Sequence, residues 1–106
     1  MGQFALHRNL NAASRGKFPY LLDVQADYLN NLLRTRVVIP LCPAASYTPH
    51  TIQALTPTVI VERARFVVLT PQLAAVDSKV LGPTVADLSA RRTDFIKALD
   101  ILLTGT

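Results

Sequence analysis

The chain has one cysteine, four glycines and no tryptophan among its 106 residues. Cys42 alone cannot form an intrachain disulfide, and it cannot build a thiolate cluster around a metal within one chain. Only four phenylalanines and three tyrosines are present, so aliphatic side chains must build most of the core. A single cysteine suits a reducing compartment, and we expect a cytoplasmic protein.

Long apolar runs are missing as well. The first residues, MGQFALHRN, lack the apolar stretch of a signal peptide, and no run approaches the ~20 residues that span a bilayer. Half of the residues are nevertheless apolar, so the composition is not that of a disordered chain. The length predicts a single domain over residues 1–106, with no membrane partner.

The charge is basic but dispersed. The formal net charge is +4 and the isoelectric point is near 9.7, a balance that fits a nucleic acid or an acidic protein as partner. The arginines are spread along the chain at positions 8, 15, 34, 36, 63, 65, 91 and 92. Without a dense cluster, this distribution favours a solvated surface over a phosphate-binding stripe.

Alternating apolar residues predict a mainly β body. Strands are predicted at 3–9, 20–25, 37–39, 59–61 and 66–69, with one more short strand near 79–81. Pro40 should end the third strand, because proline lacks the ladder donor, and further prolines argue against continuous strands from 41 to 57. The segment 27–33 stays open between a turn and a short helical piece.

The end of the chain changes period. From Leu88 onward, Phe95, Leu99 and Leu102 recur at spacings of three and four, so they should bury one face of an amphipathic helix. Asp87 or Ser89 is the expected N-cap, and Gly105 the expected C-terminal cap. Strands first and one helix last predict an α+β fold, mainly β, with a strongly bent small sheet or barrel.

Residues for catalysis are sparse. His7 and His50 are the only histidines, and neither has partners at the spacing of a triad or a metal site. Cys42 is expected to be a small buried hydrophobe. We therefore predict no catalytic residues, no metal and no cofactor, and a protein that binds another protein rather than an enzyme. The ending ILLTGT is compatible with an inert tail or with a recognition tip at 104–106.

Three segments together resemble the CcdB family of bacterial toxins: DVQAD at 23–27, RVVIPL at 36–41 and VADLSARRTDFIKALDILLTG at 85–105. The resemblance extends from Gln3 to Gly105. It implies an SH3-like small barrel with a short wing sheet and one C-terminal α-helix. It also implies a toxin that binds the A subunit of DNA gyrase, traps the cleaved-DNA complex, and is neutralised by a cognate antitoxin. Operator DNA would be bound only through the toxin–antitoxin complex, which represses its own operon.

The resemblance also implies two sets of contact residues and a homodimer. The gyrase-binding set comprises Tyr28, Leu29, Asn30, Lys97, Asp100, Thr104, Gly105 and Thr106. The antitoxin-binding set comprises Asn9, Leu10, Asn11 and Arg15. Thr104 and Thr106 stand where the best-known members have tryptophan and isoleucine. For the dimer we expect pairing through the aliphatic strand from Val37 to Leu41 and through the Leu99, Leu102 and Leu103 end of the helix.

Two other functions fit the same sequence. One is an endoribonuclease toxin of the related barrel fold, supported by the fold relationship and the basic charge. The other is a degenerate member that binds an antitoxin but poisons nothing, which the threonines at 104 and 106 would suit.

Overall fold

The computed structural model describes residues 2–48 and 52–105, and this part of the chain holds seven strands and one α-helix. The strands are β1 (Ala5–Asn9), β2 (Tyr20–Asp23), β3 (Thr35–Pro43), β4 (Thr58–Val61), β5 (Ala64–Val68), β6 (Ala74–Asp77) and β7 (Leu81–Asp87). The helix α1 is Arg92–Thr104. The predicted α+β class, mainly β with a helix last, is confirmed. No helix among residues 2–48 and 52–105 is long and apolar enough to cross a bilayer.

All strand pairs are antiparallel, and they form one curled sheet in the order β4-β5-β3-β2-β1-β7. The long strand β3 pairs with β6 through Thr35–Val38 and with β5 through Leu41–Pro43. Its opposite edge pairs with β2. The curled sheet corresponds to the small barrel that the resemblance implies, with the β4–β5 hairpin at one end of the strand order.

Strand β3 runs through Pro40, so the prediction that this proline ends the strand was wrong. The carbonyl of Pro40 accepts a hydrogen bond from the Leu69 N–H at 3.0 Å. Because the N and C=O of one strand residue face the same side, the nitrogen of Pro40 also faces Leu69. This is the point where β3 changes its partner from β6 to β5. The N–H that Pro40 lacks would therefore lie between the hydrogen-bonded pairs of β3 with β6 and of β3 with β5, so no strand-pairing hydrogen bond is lost.

The helix begins later than the apolar spacing suggests. Residues 85–87 belong to β7, and the Asp87 carboxylate accepts a hydrogen bond from the Ser89 N–H at 3.0 Å. That bond holds the pKa of Asp87 below its usual value. The residue at the N-cap is Leu88 for the 3₁₀ turn at Ser89–Arg91 and Arg91 for α1, and neither has a side-chain cap, so the prediction of Asp87 or Ser89 as N-cap was wrong. At the other end the prediction is confirmed: Gly105 has φ 79° and its N–H donates to the Ile101 carbonyl.

The helix packs on the barrel through its first two turns. Phe95 and Ala98 are fully buried, and the Phe95 ring lies 5.4 Å from that of Phe4. Phe4 itself has φ 67°, a conformation held by backbone bonds to Asp23 and Leu88. Leu99 packs against the core as predicted, but Leu102 is only half-buried and does not belong to the core cluster. The last turn of α1 thus presents apolar side chains at the surface.

Candidate functional site

The first group of predicted contact residues lies on a 3₁₀ turn at Asp27–Leu29, directly after β2. The Tyr28 side chain is 75% exposed, whereas Leu29 and Asn30 are half-buried. The segment 27–33, for which the sequence left a turn and a short helical piece as alternatives, is a 3₁₀ turn followed by a hydrogen-bonded turn. It displays one aromatic ring to solvent.

Two buried polar residues hold this turn in place. Gln25 donates from Nε2 to Asn30 Oδ1 at 2.9 Å, and its Oε1 accepts from the Val37 N–H at 3.2 Å. Its own N–H donates to Asp23 Oδ1 at 3.0 Å. Asp23 has no exposed surface, and its second oxygen forms a salt bridge with Arg36 on β3. Asp23 and Gln25 lie in the DVQAD segment but were not among the predicted contact residues, although two polar residues at the end of the apolar run YLLDVQ indicate a buried polar role.

The second group lies on the last two turns of α1. Asp100, Thr104 and Gly105 are exposed, and the Thr104 hydroxyl donates to the Asp100 carbonyl at 2.7 Å. Lys97, one turn earlier, lines a cleft beside the β4–β5 hairpin. Thr106 lies outside the described residues. The structure therefore divides the predicted gyrase-binding set between the turn after β2, the end of α1 and the rim of the cleft.

Large apolar side chains are exposed near both groups. Tyr28, Leu32 and Leu33 are 75%, 74% and 46% exposed, and Leu103 at the end of α1 is 70% exposed. Exposed side chains of this size mark interaction surfaces when they cluster. These two segments are therefore the strongest candidates for protein contacts.

The predicted antitoxin-binding set lies at the start of the loop between β1 and β2. Asn9 is buried, and its Nδ2 donates to Ser14 Oγ at 3.0 Å and to the Phe18 carbonyl at 2.9 Å. Leu10 is 48% exposed, and Asn11 and Arg15 are exposed. Asn9 thus shapes the loop, and the side chains available to a partner are those of Leu10, Asn11 and Arg15.

His7 and Cys42 are enclosed in the fold. His7 Nδ1 lies 2.9 Å from the Gly82 carbonyl, which fits a structural hydrogen bond across the β1–β7 pair. Burial raises the pKa of the Cys42 thiol, so the thiol stays protonated and is a poor nucleophile. His50 lies outside the described residues. Among the residues that the structure describes, no three histidine, cysteine or carboxylate side chains group together as metal ligands.

Residues 3–105 match the model of the CcdB protein family. The chain belongs to the CcdB family. This match covers nearly the whole barrel, the turn after β2 and the helix, so the resemblance carried by 23–27, 36–41 and 85–105 is confirmed. CcdB-family membership places the protein among the toxins of toxin–antitoxin systems.

The fold of this CcdB-family protein is similar to a solved structure described as an endoribonuclease in complex with its cognate antitoxin from a mycobacterial species. The TM-score is 0.72 at 14% sequence identity, over 97% of this chain and 94% of the other. At that identity the likeness concerns the fold alone.

Proposed function

We propose that this CcdB-family toxin binds the A subunit of DNA gyrase and traps the enzyme on cleaved DNA. Gyrase itself makes the break, so the toxin needs no catalytic group. It must only bind the cleaved conformation more tightly than the others and so shift the population toward it. The proposed contact surface is the turn with Tyr28, Leu29 and Asn30, together with the end of α1.

The observation that supports this proposal best is the exposed apolar surface on these two elements. Aromatic anchors commonly dominate binding energy at protein interfaces. Here Thr104 replaces the tryptophan of the best-known members, while an aromatic residue, Tyr28, stands where the family commonly has an aliphatic one. Tyr28 is 75% exposed, so it can add an aromatic contact to the surface that the end of α1 contributes.

A cleavage assay tests the proposal. Supercoiled plasmid is incubated with gyrase, ATP and the toxin, and linear DNA is measured after detergent and protease treatment. We expect linear plasmid that increases with toxin concentration and is absent when gyrase is omitted. Plasmid that stays uncleaved at a tenfold excess of toxin over gyrase would contradict gyrase poisoning.

An endoribonuclease remains the second candidate, because the similar solved structure covers nearly the whole of both chains. The same toxin preparation, incubated with RNA and without gyrase, separates the two activities. Fragmented RNA supports the nuclease, and linear plasmid supports the poison. Neither product, together with intact antitoxin binding, supports the degenerate member.

We also predict a homodimer, since isologous pairing is the commonest way to bury an apolar patch. Val38 to Leu41 of β3 are buried within the protomer, so this strand cannot form the interface that the sequence suggested. The half-buried Leu102 and the exposed Leu103, Leu32 and Leu33 remain available. Sedimentation at micromolar concentration should give twice the mass of 11.6 kDa. A monomer at this concentration would contradict the predicted homodimer.

The cognate antitoxin is proposed to be an acidic chain with a disordered segment that folds on the toxin. The net charge of +4 favours encounter with an acidic partner, and coupled folding lets such a segment cover a large area. Leu10, Asn11 and Arg15 are the proposed contacts in the β1–β2 loop. The toxin–antitoxin complex would then bind operator DNA.

A further inference from the structure

A cleft of about 540 Å³ lies between the β4–β5 hairpin, a 3₁₀ turn at Gln53–Leu55 and the first half of α1. Its lining combines small apolar side chains, among them Val67 and Ala54, with charged ones. Strand β5 contributes Arg65, and α1 with its preceding turn contributes Arg91, Asp94 and Lys97. The volume lies within the range of ordinary ligand-binding clefts, roughly 300–1,000 Å³.

The charges of the cleft are unbalanced. Arg91 Nε donates to Asp94 Oδ2 at 2.7 Å, so these two charges compensate each other. Arg65 and Lys97 are exposed, and within residues 2–48 and 52–105 neither forms a salt bridge or a side-chain hydrogen bond. The cleft therefore presents two uncompensated cations, one from the hairpin and one from the helix.

We infer that this cleft docks an acidic peptide segment of the antitoxin. Carboxylates of the segment pair with Arg65 and Lys97, and an apolar side chain fills the floor around Val67. The inference rests on the proposed antitoxin partnership and adds to it a surface distinct from the β1–β2 loop. Apolar floors with a charged rim are the usual anatomy of peptide-binding interfaces.

A nucleic acid fits the same cleft less well. Single-stranded nucleic acids need stacking platforms along a basic groove. Among the described residues that line the cleft, the aromatic ring is that of Tyr47, which is half-buried against the cluster of Cys42, Val67 and Leu69.

Calorimetry with the full-length acidic protein encoded beside the toxin tests the inference. The cleft variant carries Arg65→Glu and Lys97→Glu. The control carries Arg34→Glu and Arg63→Glu, which change the net charge equally at exposed positions outside the cleft lining and outside the β1–β2 loop with Leu10, Asn11 and Arg15. We expect the cleft variant to bind at least ~30-fold more weakly, as the loss of two charge-assisted contacts implies. The control should stay within ~3-fold of the unmodified toxin, because its charges lie outside the cleft and act on the antitoxin only through a long-range attraction that salt screens. Circular dichroism should show that both variants keep the fold.

Three other outcomes would each contradict one part of this proposal. Equal affinity of the cleft variant and the control would remove the cleft from the antitoxin interface and leave the partnership intact. No binding by the unmodified toxin would contradict the partnership, and this inference with it. Fluorescently labelled single-stranded DNA or RNA of twelve nucleotides is the third probe. Oligonucleotide binding that the cleft variant loses, with antitoxin affinity unchanged, would assign the cleft to nucleic acid instead.

Discussion

Deleting Thr104, Gly105 and Thr106 should abolish gyrase poisoning and leave the fold almost intact. The deletion removes the end of the helix that the proposed contact surface includes. A few residues at the centre of an interface usually carry most of its affinity. The effect on cleavage should therefore be far larger than the effect on stability.

The expected loss of stability is small because the helix is held elsewhere. Phe95, fully buried, is worth roughly 1.5–3 kcal/mol by burial alone, and Ala98 and Leu99 pack beside it. Thr104 and Gly105 are exposed. The Thr104 hydroxyl donates to the Asp100 carbonyl, and the Gly105 N–H donates to the Ile101 carbonyl. Losing exposed residues of this kind usually costs less than about 1 kcal/mol.

Linear plasmid, growth inhibition and melting temperature should be measured for the deletion and for Thr104→Trp. The tryptophan restores the residue of the best-known members, so it should strengthen poisoning if the helix end contacts gyrase. A truncated protein of unchanged potency would show that the tip is inert, and the contact would then have to centre on Tyr28 and Leu29. A melting temperature lower by more than ~8 °C would show instead that the tail is structural.

Replacing Asp23 by alanine should lower the free energy of unfolding by about 3 kcal/mol. Asp23 is completely buried, and the Arg36 side chain that it pairs with is only 18% exposed. Removing one partner of such a pair leaves a largely desolvated charge uncompensated, which costs about 3–5 kcal/mol. The lower end of that range applies because part of Arg36 still reaches water. The Gln25 N–H also loses its acceptor.

Urea unfolding should be compared for Asp23→Ala and Asp94→Ala. Asp94 pairs with Arg91, but both side chains are about half exposed, at 54% and 41%, so this loss should cost less than about 1 kcal/mol. The control thus removes an aspartate and a salt bridge in the same protein. Similar midpoints for the two variants would contradict the structural role given to Asp23. Replacing Arg36 by methionine in the Asp23→Ala background should recover part of the stability, because the uncompensated charge is then removed.

Segments with strong local patterns could be predicted from the sequence. The β4–β5 hairpin follows from two β-branched runs, and the end of α1 follows from Gly105, whose positive φ other residues rarely adopt. Strand β6 could not be predicted, because the residues of AAVD are small, partly exposed and without alternation. This strand forms because it pairs with the first half of β3. Its own residues therefore do not reveal it.

The candidate contact surface could be predicted only in part, because only some of its residues lie in strong local sequence patterns. The resemblance identified the turn after β2 and the helix end from linear motifs. The turn after β2 is supported by the salt bridge between Asp23 on β2 and Arg36 on β3. The cleft exists because β5 and α1 contribute Arg65 and Lys97 to the same lining. These juxtapositions are set by the topology of the sheet and the helix, so they cannot be predicted from the spacing of residues along the chain.

Strand β1 pairs with β2 on one edge and with β7 on the other, and this arrangement has a kinetic consequence. The bond between His7 and Gly82 joins positions 75 apart in the chain, whereas β4 and β5 are separated by a two-residue turn. Because the entropic cost of closing a loop grows with its length, the β1–β7 pair closes at a higher entropic cost than the β4–β5 hairpin, and such long-range contacts slow folding. Helix α1 follows β7 and packs on Phe4, directly before β1. The surface proposed to bind gyrase therefore depends on contacts between the first and the last elements of the fold.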